Sequence, residues 1–417
     1  VVQTRWVHHN PANSYTDTFY SVRKCSLWVV TGEGGEIQTT GSTPSSFTKR
    51  NTGLANDILS SAVSGANPLH IFCGATSGRW FRSLNGGLSW SSGTWGAGFA
   101  GAMRGAVWAP QAGEGLHVGD SGEVQSAADL LFYTQQRTAT GQNLNAVDAD
   151  GVGGLVAVGD LGSLYTALEA DLTTWTLRSL PGSLTDNLTG VAYAAALDRY
   201  VVVGEGGVVL TSDDKGLTWD LRSLPDAVTT DLHDVRWSAS AFQFIAVGAM
   251  GGIYVSFDGI TWVKEEPDNL YLGTFYGCGI DDTNLNAIIV GSSGEIQVAP
   301  LTVPAAPTVS NFDPQISILT PTLGAGVGTS RWDTLQFDVV SQIGLITVLK
   351  VELVRSSGLV DLVYDQASGF TDEYALGSGV SNISMGKHLV VGRREGWPET
   401  PVHLRLTIEG PSPAVLA

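Results

Sequence analysis

The side chains able to do chemistry are few and scattered. Four carboxylates, Glu33, Asp120, Asp160 and Glu205, each follow the first glycine of a Gly-acid-x-Gly phrase. If these phrases are equivalent hairpins of one repeated fold, the carboxylates project from a single face as an arc. Such an arc could hold a cation or dock a basic partner. Acidic residues ahead of a glycine also suit tight turns, and that is the plainer reading. His8-His9 resembles a metal pair, but neighbours on a strand point to opposite faces. His233-Asp234 reads better as a packed pair than as a catalytic one. No HExxH, CxxC, P-loop or GxSxG occurs. The expectation is therefore a protein with no cofactor, no metal and no enzymatic activity.

A second constellation is more specific. Residues 212–219 read Ser-x-Asp-x-Gly-x-Thr-Trp through Ser212, Asp214, Gly216, Thr218 and Trp219. Ser256, Asp258, Gly259, Thr261 and Trp262 repeat it one residue shorter, and residues 83–90 keep it with Asn85 for Asp. The chemistry is that of a turn: the carboxylate accepts from backbone N–H groups, and the Trp packs between neighbouring elements. This reads as a hairpin clip rather than a reactive site.

These residues sit on a repeat. An apolar run, a Gly, two or three turn residues, another Gly and a second apolar run recur seven times, as in 27–37 (LWVVTGEGGEI) and 200–209 (YVVVGEGGVV). The first glycines, Gly32, Gly74, Gly119, Gly159, Gly204, Gly248 and Gly291, are spaced by 42, 45, 40, 45, 44 and 43. That period fits one four-stranded β-propeller blade per unit. The glycines are expected to supply positive φ in a hairpin. Upstream lies a strand rich in small residues, suited to the crowded axis. Downstream, Thr174-Trp175, Thr218-Trp219, Thr261-Trp262 and Ser89-Trp90 open an outer strand. The seventh unit lacks that strand, and Trp6 near the N-terminus looks like the missing tryptophan. The N-terminal strand is therefore expected to close the ring on the last blade.

A seven-unit ring with scattered Asp boxes resembles the photosystem II assembly-factor type of propeller over residues 1 to about 300. The Asp box itself resembles that of sialidase-like propellers. Sialidase activity would require three arginines on a substrate carboxylate and a Tyr–Glu pair. Arg104, Arg199 and Arg236 lie in or near inner strands without recurring at matching positions.

The chain of 417 residues divides on this reading into a propeller at 1–300, a Pro-containing linker at 301–307 and a β-sandwich at 308–417. Strands are expected at 335–340, 346–354, 359–364, 388–391 and 402–408, the spacing of an immunoglobulin or fibronectin-like sandwich. Its phrases Ile318-Leu319-Thr320-Pro321, Val363-Tyr364-Asp365 and Gly396-Trp397-Pro398 resemble sandwich modules of tailed-bacteriophage virion proteins. Net charge is −18 with 22 basic and 40 acidic residues, which repels nucleic acid and anionic membranes. No apolar run is long enough for a membrane span. Cys25, Cys73 and Cys278 form no disulfide framework and read as thiols of a protein made in the host cytoplasm.

The resemblance implies a structural or interaction protein of the virion, attached to tail, neck or capsid. The sandwich would anchor it among other virion proteins in a multicopy assembly. The propeller would be displayed, or would attach to a host-surface glycan or protein. The alternatives are a glycan-binding, lectin-like propeller and a glycoside hydrolase of sialidase-like fold.

Overall fold

The computed structural model describes most of residues 5–301, apart from 10–16, 42–43, 45, 51–52, 54, 56, 59–62, 65–66, 96–98, 129–133, 138–140 and 226–228. Beyond residue 301 it describes the backbone of seven strands. The chain divides into two compact units, Val1–Val303 and Pro304–Ala417.

The first unit is an all-β, seven-bladed propeller, each blade a four-stranded antiparallel sheet. Blade five is typical: Leu188–Ala194, Arg199–Gly204, Val209–Ser212 and Asp220–Arg222, paired in chain order from the inside outward. Its second strand is buried from Tyr200 to Gly204. That burial follows from neighbouring blades covering both faces, as the continuous apolar run requires. Trp219 joins the cluster of Val156, Val158 and Leu164 from blade four, and Trp262 joins that of Val201, Val203 and Val209 from blade five. Each tryptophan therefore leans from its own outer strand onto the preceding blade.

In six of the seven repeats the first glycine owes its place to crowding rather than to positive φ. Gly204 and Gly159 are extended, with φ of −163 and −164. A Cβ on either would overlap the carbonyl oxygen of Asn187 or Asn143, where the inner strand begins. Only glycine allows the chain that close. Positive φ falls instead on the last two residues of the following 3-10 turn, as at Gly206 (64) and Gly207 (75).

The ring closes through the N-terminus. Val7 and His8 pair with Val298 and Gln297 as the outer strand of blade seven. Trp6 is 1% exposed and packs with Ile245, Val247 and Ile289, the place Trp219 and Trp262 hold in their own blades. Its Nε1 donates to Glu265 Oε2 of blade six at 2.8 Å, and Arg5 Nε donates to the same oxygen at 2.9 Å. Leu301, placed by the sequence at the start of the linker, is buried in this same blade, and its N–H donates to the Leu285 carbonyl.

The second unit holds two antiparallel sheets. One orders Ser317–Leu319, Thr334–Asp338 and His388–Gly392. The other orders Phe370–Thr371, Val360–Asp365, Thr347–Arg355 and Pro401–Glu409. The five expected strands recur within two residues at each end. Residues 320–325, the Gly396-Trp397-Pro398 turn and most of the linker lie outside the described residues.

Trp6→Ala should destabilise the propeller by about 3–5 kcal/mol, the cost of deleting a fully buried aromatic. Urea unfolding followed by tryptophan fluorescence measures this. An unchanged midpoint would remove the N-terminal strand from its role in closure.

Candidate functional site

Six inner strands share one irregularity. The pairing with the second strand slips by a residue between Phe19 and Ser21, Met103 and Gly105, Leu144 and Ala146, Leu188 and Gly190, Leu232 and Asp234, and Phe275 and Gly277. A bulge re-aims the residue it skips. The skipped residues are Tyr20, Arg104, Asn145, Thr189, His233 and Tyr276. All six line a single cavity of about 220 Å³ among the innermost strands, with Arg23, Asp234 and Arg236 also in its wall. The residue after the bulge is small in five of the six strands, Ser21, Gly105, Ala146, Gly190 and Gly277, with Asp234 the exception. The next blade leaves no room, since a Cβ on Gly190 would lie 3.0 Å from the Val235 nitrogen.

One side of this mouth is aromatic. Tyr20 and Tyr276 meet edge to face with centroids 5.8 Å apart, and the His233 ring lies 4.9 Å from that of Tyr276. Burial lowers the His233 pKa despite Asp231 and Glu205, which favours the neutral imidazole. The other side is polar. Arg104 Nε donates to Asp120 Oδ1 at 2.8 Å, Asn145 Nδ2 to the Leu188 carbonyl at 3.0 Å, and Thr189 Oγ1 to the Leu232 carbonyl at 2.7 Å.

Deeper lies a charged cluster. Asp234 is paired with Arg236 Nη2 at 3.1 Å and Arg23 Nη1 at 3.5 Å, and it accepts from the N–H groups of Val235 and Cys278. Burial raises its pKa, against the pull of Arg23 and those N–H groups. Asp148 is pushed up to about 6 by burial, against the Tyr193 and Ala149 N–H groups. The Nε of Arg236 is buried without a partner. The cavity wall thus carries three arginines against one carboxylate, in a chain of net charge −18.

The sequence singled out different residues. Of its three arginines, Arg104 and Arg236 reach the mouth, whereas Arg199 pairs with Asp213 at the opposite end of blade five. Arg23 takes the third place. His233 and Asp234 are neighbours that make separate contacts, one with Tyr276 and one with the arginines. His8 Nδ1 lies 2.9 Å from Glu295 Oε1.

Glu33, Asp120, Asp160 and Glu205 do share the face on which the mouth opens, since each ends a second strand where an inner strand begins. Each is also engaged by a neighbouring donor. Glu33 Oε2 accepts from the Thr18 N–H, and Asp120 from the Ala102 N–H and Arg104. Asp160 accepts from Asn143 and Asn145, and Glu205 from Asn187. The next residue of each turn then reaches the following blade. Ser121 N–H donates to Asn143 Oδ1, Leu161 N–H to Asn187 Oδ1 and Gly206 N–H to Asp231 Oδ1. A continuous belt of hydrogen bonds results, running from blade three to blade six. Among the described residues no three His, Cys, Asp or Glu side chains converge to hold a metal ion.

The Asp boxes lie at the other end of the blades and act as clips. Asp214 accepts from the N–H groups of Leu217 and Thr218 and from Thr218 Oγ1, while Ser212 Oγ accepts from the Gly216 N–H. Asp258 accepts from the Ile260 and Thr261 N–H groups, Ser256 Oγ accepts from the Gly259 N–H, and Trp262 Nε1 donates to the Gly259 carbonyl. Asn85 does the same work in blade two, accepting from the Ser89 N–H. None of these boxes contributes to the mouth.

Solved structures share this fold at low identity. YCF48 bound to a D1 peptide superposes with a TM-score of 0.58 at 16% identity, over 72% of this chain and 99% of that one. YCF48 from Cyanidioschyzon merolae gives 0.57 at 14%, over 71% and 98%. The RRP9 WD40 repeats give 0.57 at 11%, over 72% and 100%. At these identities the likeness is one of fold. No family model matches the chain, and no curated protein matches it.

Two predictions follow from this geometry. Asn187→Leu removes two belt bonds and should lower stability by about 1–3 kcal/mol, read by urea denaturation. Asp148 has a raised folded-state pKa, so the folded chain binds its proton more tightly than the unfolded chain does. Its contribution to stability is therefore largest below about pH 4 and is lost as pH rises through about 6. Asp148→Asn should remove that slope and be the more stable form at pH 8. Equal pH profiles for the two proteins would contradict the assignment.

Proposed function

We propose that the chain is a non-enzymatic docking protein of a tailed-bacteriophage particle. The mouth carries the docking reading. Six blades each deliver one side chain to one cavity, and with Arg23 and Arg236 these give aromatic faces, guanidinium groups and amide and hydroxyl donors for a partner's segment. Glycoside hydrolysis generally needs two carboxyl groups flanking the scissile bond. The cavity wall has one, Asp234, and two arginines already engage it. YCF48, which shares the fold, is known with a D1 peptide bound, and this supports a peptide-sized partner for a propeller of this kind.

The virion setting rests on the residues after 307. We read their two sheets as the layers of an immunoglobulin-like sandwich that anchors the chain among other virion proteins. The propeller is then the displayed part, directed at a particle protein or a host-surface glycan or protein. Among the described residues no helix is long and apolar enough to cross a membrane.

Three measurements test this. Antibody against the full chain should label purified tailed particles at regular positions on tail, neck or capsid; particles without the chain would overturn the virion reading. Fluorogenic sialosides and β-glucosides should not be turned over. Turnover that disappears in Asp234→Asn would make the protein a hydrolase.

A further inference from the structure

At the end of the blades away from the mouth, blade four differs from blade five, which follows it. In blades two, five and six the hairpin from third to outer strand is an Asp box that fills the space against the preceding blade. In blade five, a Cβ on Gly216 would lie 3.0 Å from Thr166 and 3.1 Å from Val156 of blade four. Blade four has a short hairpin instead, with Leu168 paired directly to Asp171. Between this hairpin and the Asp box of blade five runs a groove of about 840 Å³.

The groove has two kinds of wall. Val152, Leu168 and Leu217 line it and are 71%, 64% and 55% exposed, a grouping of bare aliphatic side chains that water does not favour. Carboxylates stand between them: Asp150, Glu169, Asp171 and Asp214. Two cations share the groove, and both are engaged. Lys215 Nζ donates to Asp198 at 2.8 Å and lies 3.6 Å from Asp150 Oδ2, so Asp150 is already paired, and Arg178 Nε donates to Thr166 Oγ1 at 2.8 Å. Glu169 is only 3% exposed. Its Oε2 accepts from the Gln111 and Ala112 N–H groups at 2.6 and 2.9 Å, while its Oε1 is buried without a partner. A buried carboxylate oxygen lacking a donor is costly, and a cation from outside would relieve it.

We propose that this groove docks an extended peptide segment carrying one lysine or arginine between two apolar side chains. The cation is met by Glu169 and the flanking Asp171 and Asp214. The apolar neighbours cover Leu168 on one side and Val152 and Leu217 on the other. Its chemistry is the reverse of the mouth's, since acid and aliphatic surface replace arginine and aromatic rings. One chain can therefore engage two partners of different character at its two ends.

The test uses the full chain as bait for a random displayed heptapeptide library. Enriched sequences are resynthesised with a fluorescein tag and titrated by anisotropy. Enriched peptides should carry one basic residue between apolar ones, and affinity should fall as salt rises. Glu169→Gln should weaken binding by about ten-fold, the scale of losing a charge-assisted contact. Leu168→Ser, at an exposed position that folding does not need, should weaken it comparably while the melting temperature stays at the wild-type value. The proposal is overturned if no sequence is enriched, if the enriched sequences are acidic, or if both variants bind them as the wild type does.

Discussion

A ring of sheets has no free edge at its seam only if its first and last blades share a sheet. Here that depends on a short N-terminal strand and one tryptophan. Trp6 fills the space between blades six and seven, and Glu265 of blade six holds both Trp6 and Arg5. Without them the third strand of blade seven would present an open edge, the usual template for unwanted pairing. The geometry around the axis follows from the closed ring. The inner strands can approach until Gly105 meets Ala146 and Gly277 meets Ser21, because nothing lets the blades spread apart.

That crowding also explains what the sequence shows openly and what it hides. Six of the seven glycines, Gly32, Gly119, Gly159, Gly204, Gly248 and Gly291, repeat because their blades bring a carbonyl oxygen against the same backbone atom, so one residue type alone is tolerated. Trp219 and Trp262 repeat because each fills the same gap beside a preceding blade. Those constraints act on residue type, and the ring was legible from them. The mouth is built from a constraint on position alone. A bulge aims whatever residue it skips, so Tyr20, Arg104, Asn145, Thr189, His233 and Tyr276 share a location without sharing one residue type. No motif search finds such a set without the register of the strands.

The turn carboxylates lie between these cases. Their spacing was readable, and so was the face they share. Their role was not, because it depends on partners elsewhere in the chain: Asn143 lies 17 residues from Asp160, and Asn187 lies 18 from Glu205. The same asparagines accept from the preceding blade's turn, so a group that looks like surface charge is half of a joint between blades. An acidic residue next to glycine is ambiguous in sequence for this reason. Both a ligand site and a joint need an exposed turn and a carboxylate, and only the donor tells them apart.

The two ends of the propeller then differ because their blades differ in what they leave empty. At the mouth, side chains from six blades converge, so specificity can be set residue by residue without disturbing any sheet. At the opposite end, the Asp box of blade five packs against blade four, and a groove remains beside it along blade four's short hairpin. A net charge of −18 spread over the chain would by itself favour basic partners everywhere. Arg23, Arg104 and Arg236 set positive charge against that background, beside Asp234 and Asp120, within walls of low polarisability where charge acts at longer reach than on the open surface. An acidic chain can hold such a pocket only if its arginines are kept from pairing fully with the surrounding carboxylates. The buried, unpartnered Nε of Arg236 is where that condition is met.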